Sequence, residues 1–319
     1  MAFYAALDGG GTKTRCVLGD ETSVLATAVA GGSNIVRLGE EAAGEALRNA
    51  LTQVSAAARV TLSQIRAVCI GAAGAGRPEV AERVRAVIAG IVPEVAPSQI
   101  RVVGDHEIAL ESAFGSGPGV VAIAGTGSVV FGRDADGRTA RAGGWGFAIS
   151  DEGSGQWIGR QAVSAVLRAR DEGRETALSA AILGTLILET LILETWELAD
   201  LDALIAYANA TPPPEFPRLF PVVLRAADAG DATARELLAR AGKELASLAS
   251  IVVNRIAPAP PYIAVATTGS VFRQSQVVRD VFYNRLNADF PGLERGEASV
   301  DPVMGALALA RSMSAAKAR

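Results

Sequence analysis

Cysteine, histidine and aromatic residues are scarce in this chain of 319 residues. It contains two cysteines and one histidine, and aromatic residues make up 5% of the sequence. Two cysteines are too few for a disulfide framework or a four-cysteine metal site. Because Cys16 and Cys69 lie inside short apolar runs, we expect two buried, reduced thiols and a cytoplasmic protein.

The chain also lacks a large excess of charges of one sign. The formal net charge is −4, and the Lys and Arg residues are scattered, so no basic stripe indicates a nucleic-acid partner. No apolar stretch approaches the length of a bilayer span, so no membrane partner is expected. The segment Met1–Asp8 lacks a basic n-region, and we expect a first strand there rather than a signal peptide.

Apolar residues are abundant, at half of the sequence, which is enough for a large core and about two domains. The first third alternates apolar strands with helix-like spacing, and the middle is mostly helical, which indicates an α/β fold. The predicted strands are 3–8, 15–18, 24–30, 65–70, 100–104, 120–124, 129–132 and 262–267. The predicted helices are 39–54, 78–91, 106–114, 154–170, 185–208, 231–255 and 302–312.

A unit of strand, glycine-rich hairpin and strand occurs twice. Leu7–Thr12 leads into one apolar strand, and Ile123–Ser128 leads into another. Such a duplication suggests two related domains facing each other. We expect the first domain at 1–115, completed by a helix at 306–319, and the second at 116–305 with a helical insertion. The run Gly115–Gly119 is rich enough in glycine to form part of a hinge between them.

The first hairpin reads Asp8-Gly9-Gly10-Gly11-Thr12-Lys13-Thr14. Glycines let backbone N–H groups converge on one anion, Thr12 and Thr14 add hydroxyl donors, and Lys13 adds a positive charge. Asp8 is placed to hold a hydrated Mg²⁺ near such phosphates. The motif is neither a Walker P-loop nor a dinucleotide fingerprint, and a plain glycine hairpin remains the alternative.

The second hairpin, Gly125-Thr126-Gly127-Ser128, makes phosphate binding more specific, because two such loops can hold a triphosphate from opposite sides. Asp105 ends a strand, where α/β folds bind ligands, and is a candidate to accept the proton of an attacking hydroxyl. As an N-cap of the next helix it would serve structure alone, and the residues leave both roles open. His106 is expected only to start that helix.

The order of motifs resembles the actin/hsp70/hexokinase-like superfamily. The two hairpins are followed by Thr268-Gly269-Ser270-Val271, and Gly31-Gly32-Ser33-Asn34 and Asp301–Ala306 also fit. The stretch from Gly143 to Ser154 resembles N-acetylglucosamine kinases of the BadF/BadG/BcrA/BcrD-type ATPase family. The resemblance implies two ribonuclease H-like domains with a cleft between them, and a homodimer. It also implies ATP-dependent phosphorylation of an amino sugar at its 6-hydroxyl, N-acetylglucosamine first.

The resemblance also assigns residues. Asp105 becomes the catalytic base, and Asp8 holds Mg²⁺ through water. The implied sugar contacts are Asn34, Asp105, Gly144, Trp145, Gly146 and Asp151. The implied ATP contacts are Gly10, Gly11, Thr12, Lys13, Thr14, Gly125, Thr126, Gly127, Ser128, Gly269 and Ser270.

Other activities stay open. Glucosamine or N-acetylmuramate is an alternative sugar, and Trp145 has a core position as its alternative. A dehydratase-activating ATPase needs cysteines exposed to an iron–sulfur cluster, whereas Cys16 and Cys69 are predicted inside strands. A sugar-sensing regulator would need a DNA-binding helical module, for which we find no segment before Gly9, and relatives with a Cys-rich zinc motif are excluded.

Overall fold

The computed structural model describes residues 2–172, 198, 201–256, 263–296 and 300–315. The chain divides into two compact units, and the described residues form two five-stranded sheets. The first unit comprises 1–121, 131–139 and 295–319, and the second comprises 122–130 and 140–294.

The first sheet has the strand order β3-β2-β1-β4-β5. Its strands are β1 (Phe3–Gly9), β2 (Lys13–Gly19), β3 (Val24–Gly31), β4 (Ile65–Ala72) and β5 (Ile100–Gly104). The strand β1 is antiparallel to β2 and parallel to β4, with Asp8 opposite Arg15 on one side and opposite Gly71 on the other. The carboxyl ends of β1, β4 and β5 therefore meet at one edge, where parallel sheets bind ligands.

Apolar side chains alternate along β1 and cover both faces of this sheet. Ala5 and Leu7 belong to a core that includes residues of α2 and α3. Tyr4 and Ala6 belong to a second core with Ile108 of α4 and with residues of the last helix, α11. The helices of this unit are α1 (Ile35–Leu38), α2 (Glu40–Ala58), α3 (Pro78–Ile91), α4 (Asp105–Phe114) and α11 (Pro302–Ala315).

The second sheet has the order β10-β9-β6-β7-β8. Its strands are β6 (Gly119–Ala124), β7 (Ser128–Arg133), β8 (Thr139–Gly143), β9 (Ala264–Thr268) and β10 (Glu294–Arg295). The long helix α8 packs against α5, α7 and α10. The described helices here are α5 (Gly155–Asp171), α6 (Leu201–Ala208), α7 (Phe220–Asp228), α8 (Ala232–Ile256), α9 (Ser270–Gln274) and α10 (Gln276–Asp289).

The predicted fold class is confirmed: the chain is mixed α/β, and its described residues form two five-stranded mixed sheets. The helix at 78–91 and the strand at 100–104 match their predicted bounds. The helix predicted to begin at His106 begins one residue earlier, and β8 and α10 were not predicted. Most of the predicted helix at 185–208 lies outside the described residues, as do Tyr262 and residues 316–319.

The run Gly115–Gly119 is held more firmly than its composition predicts. The Arg133 guanidinium donates to the carbonyl oxygens of Gly115 and Gly117, the latter at 2.9 Å. A Cβ at Gly119 would lie 2.4 Å from the Phe114 ring. Glycine here serves close packing as well as conformational freedom.

Membrane-spanning character is not found. Among the helices in the described part of the chain, none is both long enough and apolar enough to cross a bilayer.

Candidate functional site

The carbonyl groups of the first glycine loop, between β1 and β2, accept hydrogen bonds from neighbouring segments. The Gly9 carbonyl accepts the Ala73 N–H at 3.0 Å, and the Gly10 carbonyl accepts the Ser33 N–H, also at 3.0 Å. Buried carbonyl groups need such partners. The loop is therefore anchored through these acceptors and through the Gly10 N–H, which donates to the Lys13 carbonyl at 3.1 Å, and the N–H groups at its bend are left for a ligand.

The bend of this loop carries the features that an anion needs. The N–H groups of Gly11 and Thr12 have no backbone acceptor within the described ranges, and Lys13 is exposed beside them. A Cβ at Gly11 would lie 3.3 Å from the Arg37 guanidinium. Sequence reasoning missed Arg37, although its place three residues after Asn34 was a usable signal. N–H donors and two cations together fit a phosphate group.

Thr14 differs from its expected role. The residue is fully buried, and its hydroxyl lies 2.8 Å from the Gly31 carbonyl oxygen and 2.7 Å from the Ser33 Oγ. Its hydroxyl is already bonded inside the unit, so it supports the loop rather than facing a phosphate.

Asn34 follows this anchored segment and caps the short helix α1. Its Oδ1 accepts the N–H groups of Val36 and Arg37 at 3.0 and 3.2 Å. Its amide nitrogen has no partner in the part of the chain that the structure describes. One donor therefore remains for a sugar hydroxyl.

Asp105 lies at the carboxyl end of β5, as the first residue of α4. Gly104 occupies the N-cap position, where its N–H donates to the Glu107 carboxylate at 3.0 Å. The Asp105 Oδ1 accepts the neighbouring His106 N–H at 3.0 Å and lies 3.4 Å from the His106 Nδ1, whereas its Oδ2 has no partner among the described residues. The side chain is 38% exposed, so this carboxylate is accessible to a substrate.

His106 is the second residue of α4 and is packed in the interior. Its ring lies edge-on to Phe131, with centroids 4.5 Å apart, and occupies the space where Gly104 has no Cβ.

Asp8 lies near Asp105 and carries the clearest electrostatic signature of the first unit. Burial raises the pKa of Asp8 to about 6, and the negative charges of Asp105 and Asp301 contribute to the rise. Arg15 and Lys13 oppose it. A carboxylate that is difficult to ionise, beside two more carboxylates, is typical of a site that binds a cation or a proton.

Asp301 belongs to the motif Asp301–Ala306, but the sequence did not predict it as a site residue. It forms a two-pronged ion pair with Arg15, at 2.5 and 3.1 Å, and its N–H donates to the Ser112 hydroxyl at 3.1 Å. This pair joins residues 286 positions apart in sequence, which no local pattern reveals.

Direct metal ligation is not built into this geometry. The described residues contain no group of three or more His, Cys, Asp or Glu side chains arranged to hold a metal ion. The acidic residues near Asp8 fit a hydrated Mg²⁺ bound through water, which stays a prediction.

The second glycine loop, between β6 and β7, is anchored in the same way. The Gly125 and Thr126 carbonyl groups accept the Gly155 and Gln156 N–H groups of α5 at 2.8 and 3.2 Å. The N–H groups of Thr126 and Gly127 have no backbone acceptor within the described ranges. The Gly125 N–H donates to the Gly127 carbonyl at 2.9 Å, so the N–H groups of Thr126 and Gly127 are left for an anion, as at the bend of the first loop.

Ser128 joins this loop to the segment that carries Asp151. Its hydroxyl donates to the Glu152 carbonyl at 2.7 Å, and its N–H donates to the Asp151 carboxylate. Asp151 is 7% exposed, and burial raises its pKa, with Glu152 adding to the rise and the N–H groups of Ser128 and Gly146 opposing it. Like Thr14, Ser128 has a bonded hydroxyl and supports its loop.

The backbone conformation of the stretch from Gly143 to Gly153 requires glycine at several positions. Gly143, Gly144, Gly146 and Gly153 all have φ between 71° and 103°, and Asp151 has φ 66°. Residues with a Cβ rarely adopt this left-handed region, and Asp is among the few that tolerate it.

Trp145 stands out from this stretch and is not a core residue. It is 67% exposed, and the Arg141 guanidinium lies 4.9 Å from its ring centroid. An exposed ring held by a cation on one face offers an apolar wall to a ligand.

The turn at Gly269 packs directly against the second loop. Its φ is 104°, and a Cβ there would lie 2.1 Å from the Ala124 carbonyl oxygen, so only glycine fits. A Cβ at Gly125 would be 4.0 Å from the Ser270 Oγ. The second unit thus brings Gly125–Ser128, Asp151 and Gly269–Ser270 together, and the first unit brings Asp8–Thr14 together with Asn34 and Asp105.

The two cysteines are free and fully buried, as predicted, in β2 and β4. Burial raises the pKa of both thiols to about 12. Protonated, inaccessible thiols are unsuited to an iron–sulfur cluster, which thiolates ligate.

The comparisons with known proteins agree with these features. The chain is 31% identical over 98% of its length to an N-acetylmuramic acid/N-acetylglucosamine kinase of Clostridium acetobutylicum, with 99% of that protein covered. It is 28% identical to an N-acetyl-D-glucosamine kinase of Dictyostelium discoideum, covering 96% and 97% of the two chains. A solved structure from Chromobacterium violaceum, provisionally assigned as an N-acetylglucosamine kinase, superposes with a TM-score of 0.74 at 26% identity over 97% and 99% of the chains. Residues 7–310 match the BadF/BadG/BcrA/BcrD ATPase family, and the chain belongs to that family.

Proposed function

We propose that this protein is an ATP-dependent amino sugar kinase that transfers a phosphoryl group to the 6-hydroxyl of N-acetylglucosamine. The observation that carries the proposal is the Asp105 carboxylate, exposed at the carboxyl end of β5, with its Oδ2 unbonded among the described residues. The ATPase family and the names of the relatives support the reaction class.

The residues of the first unit have distinct roles in this proposal. The N–H groups of Gly11 and Thr12, with Lys13 and Arg37, bind ATP phosphates, and Gly10 shapes the bend. Asn34 donates a hydrogen bond to the sugar. Asp105 accepts the proton of the sugar hydroxyl as the phosphoryl group is transferred, the role that an aspartate takes in other phosphoryl transfers.

The residues of the second unit also have distinct roles in this proposal. The N–H groups of Thr126 and Gly127 bind ATP phosphates, and Gly269 and Ser270 contact the adenosine. Trp145, with Gly144 and Gly146 beside it, offers a wall to the acetyl methyl group. The Asp151 carboxylate accepts the amide N–H of the sugar, which favours an N-acetylated sugar over glucose.

Mg²⁺ fits the acidic group around Asp8. Asp8 would hold it through water, and the ion would offset the negative charge of the phosphates. Asp8 must be ionised for this, and the positive charges of Arg15 and Lys13 favour that state.

A coupled assay of ADP release tests the sugar. We expect the highest kcat/KM with N-acetylglucosamine among N-acetylglucosamine, glucosamine, N-acetylmuramic acid, N-acetylmannosamine and glucose, and phosphorus NMR should place the product phosphate on the 6-oxygen. Equal efficiency with glucose would refute the role of Asp151. A preference for N-acetylmuramic acid would select the other activity in the name of the Clostridium relative, that of an N-acetylmuramic acid kinase.

The variant Asp105→Asn tests the base. It keeps the size of the side chain and the acceptor for the His106 N–H but removes the proton acceptor. We expect kcat to fall by about 10²- to 10⁴-fold, the usual contribution of general base catalysis, with ATP affinity retained. Turnover near the wild-type rate would reject Asp105 as the base.

A further inference from the structure

The two glycine loops share a feature that phosphate binding does not explain. Each is followed by a strand with a buried hydroxyl near its start, Thr14 in β2 and Ser128 in β7. Neither hydroxyl is free for a ligand, because each is bonded to a segment far along the chain. The repeat itself matches Ser128 with Thr12, so the common feature of Thr14 and Ser128 lies in their hydrogen-bond partners and not in their place in the repeat.

In the first unit the hydroxyl joins the phosphate loop to the segment before Asn34. Thr14 bonds the Gly31 carbonyl and Ser33 Oγ, and Ser33 in turn donates its N–H to Gly10 in the loop. A Cβ at Gly32 would lie 2.4 Å from the Gly11 carbonyl oxygen, so the two segments are in backbone contact.

In the second unit the hydroxyl makes the corresponding connection. Ser128 bonds the Glu152 carbonyl, and its N–H holds the carboxylate of the adjacent residue, Asp151. A Cβ at Gly127 would lie 3.1 Å from an Asp151 carboxylate oxygen. The partner segment again contains the residue assigned to the sugar.

We propose that Thr14 and Ser128 are positioning residues that couple nucleotide binding to sugar binding, each by linking a phosphate loop to a sugar-contacting segment. The inference rests on the proposed function. A loop ordered around phosphate holds its linked segment in the geometry that receives the sugar, and the reverse follows, because coupling between two ligands is reciprocal. The links act within each unit and touch neither ligand.

Isosteric variants separate coupling from packing. Thr14→Val keeps the shape and removes the hydroxyl, Thr14→Ser keeps the hydroxyl, and Ser128→Ala removes the second link. Thr27→Val is the matched control, because Thr27 lies exposed on β3, away from the loops. Calorimetry measures the affinity for N-acetylglucosamine with and without saturating adenylyl imidodiphosphate and Mg²⁺, and the converse titration checks reciprocity.

We expect adenylyl imidodiphosphate to tighten sugar binding at least fivefold in the wild type, Thr27→Val and Thr14→Ser. In Thr14→Val and Ser128→Ala, the ratio of the sugar affinities with and without the nucleotide analogue should fall below twofold. The affinity for either ligand alone should change less than threefold. If the hydroxyl is purely structural, its removal should lower the melting temperature and leave this ratio unchanged.

An unchanged ratio in both Thr14→Val and Ser128→Ala would overturn the inference, as would a wild type without coupling. If Thr14→Val does not fold, Ser128→Ala in the other unit decides by the same ratio. Failure of the proposed function looks different, because the wild type would then bind no amino sugar and release no ADP with any sugar of the panel.

Discussion

Gly305 lies where the last helix touches the helix that begins with Asp105, and replacing it with alanine should impair catalysis. A Cβ at Gly305 would lie 2.0 Å from the Ile108 carbonyl oxygen and 2.7 Å from the Ser112 nitrogen. Both are backbone atoms of α4, so no side-chain rotation relieves the overlap. An ordinary carbon–oxygen contact is about 3.3 Å, so α4 and α11 must separate by about 1 Å.

The other side of Ile108 limits how α4 can respond. A Cβ at Gly71 in β4 would lie 2.2 Å from the Ile108 Cδ1, so Ile108 already fills the space above Gly71. Gly71 is paired with Asp8 in the sheet. The first turn of α4, which carries Asp105, is therefore held between β4 and α11, and any shift of that turn moves the carboxylate.

The magnitude follows from these contacts. Overpacking in a close-packed core costs about 1–3 kcal/mol, and a displacement of about 1 Å at a catalytic group costs up to about 10²-fold in rate. For Gly305→Ala we expect kcat to fall by about 10- to 100-fold and the melting temperature to fall by several degrees, with the affinity for ATP nearly unchanged.

The control is Gly90→Ala in α3 of the same unit, where a Cβ would meet nothing within 4 Å. Alanine is the better helix former there by about 0.5–1 kcal/mol, so this variant should be active and slightly more stable. Steady-state kinetics well below the melting temperature, with calorimetry of ATP binding, makes the comparison. Wild-type kcat in folded Gly305→Ala would refute the reasoning.

Three further outcomes are expected. Because the folded-state pKa of Asp8 is raised from 3.8 to about 6, the fold loses stability as the pH rises between these two values, and the loss of up to about 3 kcal/mol is complete above pH 6. Urea unfolding should show that Asp8→Asn is more stable than the wild type at pH 7–8, and this difference should vanish as the pH falls toward 4. The variant should also lose Mg²⁺-dependent turnover. Equal stability of the two proteins at pH 8 would contradict the burial argument. Arg133→Gln should lower the free energy of unfolding by about 2 kcal/mol and speed hydrogen exchange near Gly115, because charged hydrogen bonds to two carbonyl groups are lost. Unaltered exchange would show that packing against Phe114 is sufficient to hold this run of glycines. Trp145→Ala should raise the KM for N-acetylglucosamine about tenfold and leave the melting temperature within a degree or two, since the ring is exposed; an unchanged KM would remove it from the sugar site.

Some sequence predictions await measurements of another kind. The homodimer stays a prediction that sedimentation velocity would check. The domain boundary at residue 115 and the completion of the first domain by 306–319 also stay predictions, and limited proteolysis would check them.

The sequence by itself determined the elements whose physics is local. Short apolar runs predicted β1 and β5, the proline at the first turn predicted α3, and glycine runs predicted the two loops and the turn at Gly269. The duplication of strand, hairpin and strand suggested two related domains, and the motif resemblance predicted the family, which is confirmed. Backbone conformation, turn chemistry and periodicity act over a few residues, so a linear string records them.

Tertiary structure alone decided which polar atoms are already bonded. The sequence assigned Thr14 and Ser128 to phosphates, yet both hydroxyls are buried against segments distant in sequence, and the exposed Arg37 was overlooked. The pair of Arg15 and Asp301 and the raised pKa of Asp8 likewise depend on residues from opposite ends of the chain. Hydrogen bonding, desolvation and Coulomb interaction depend on distance in space, and spacing along the chain does not encode that distance once the core has closed.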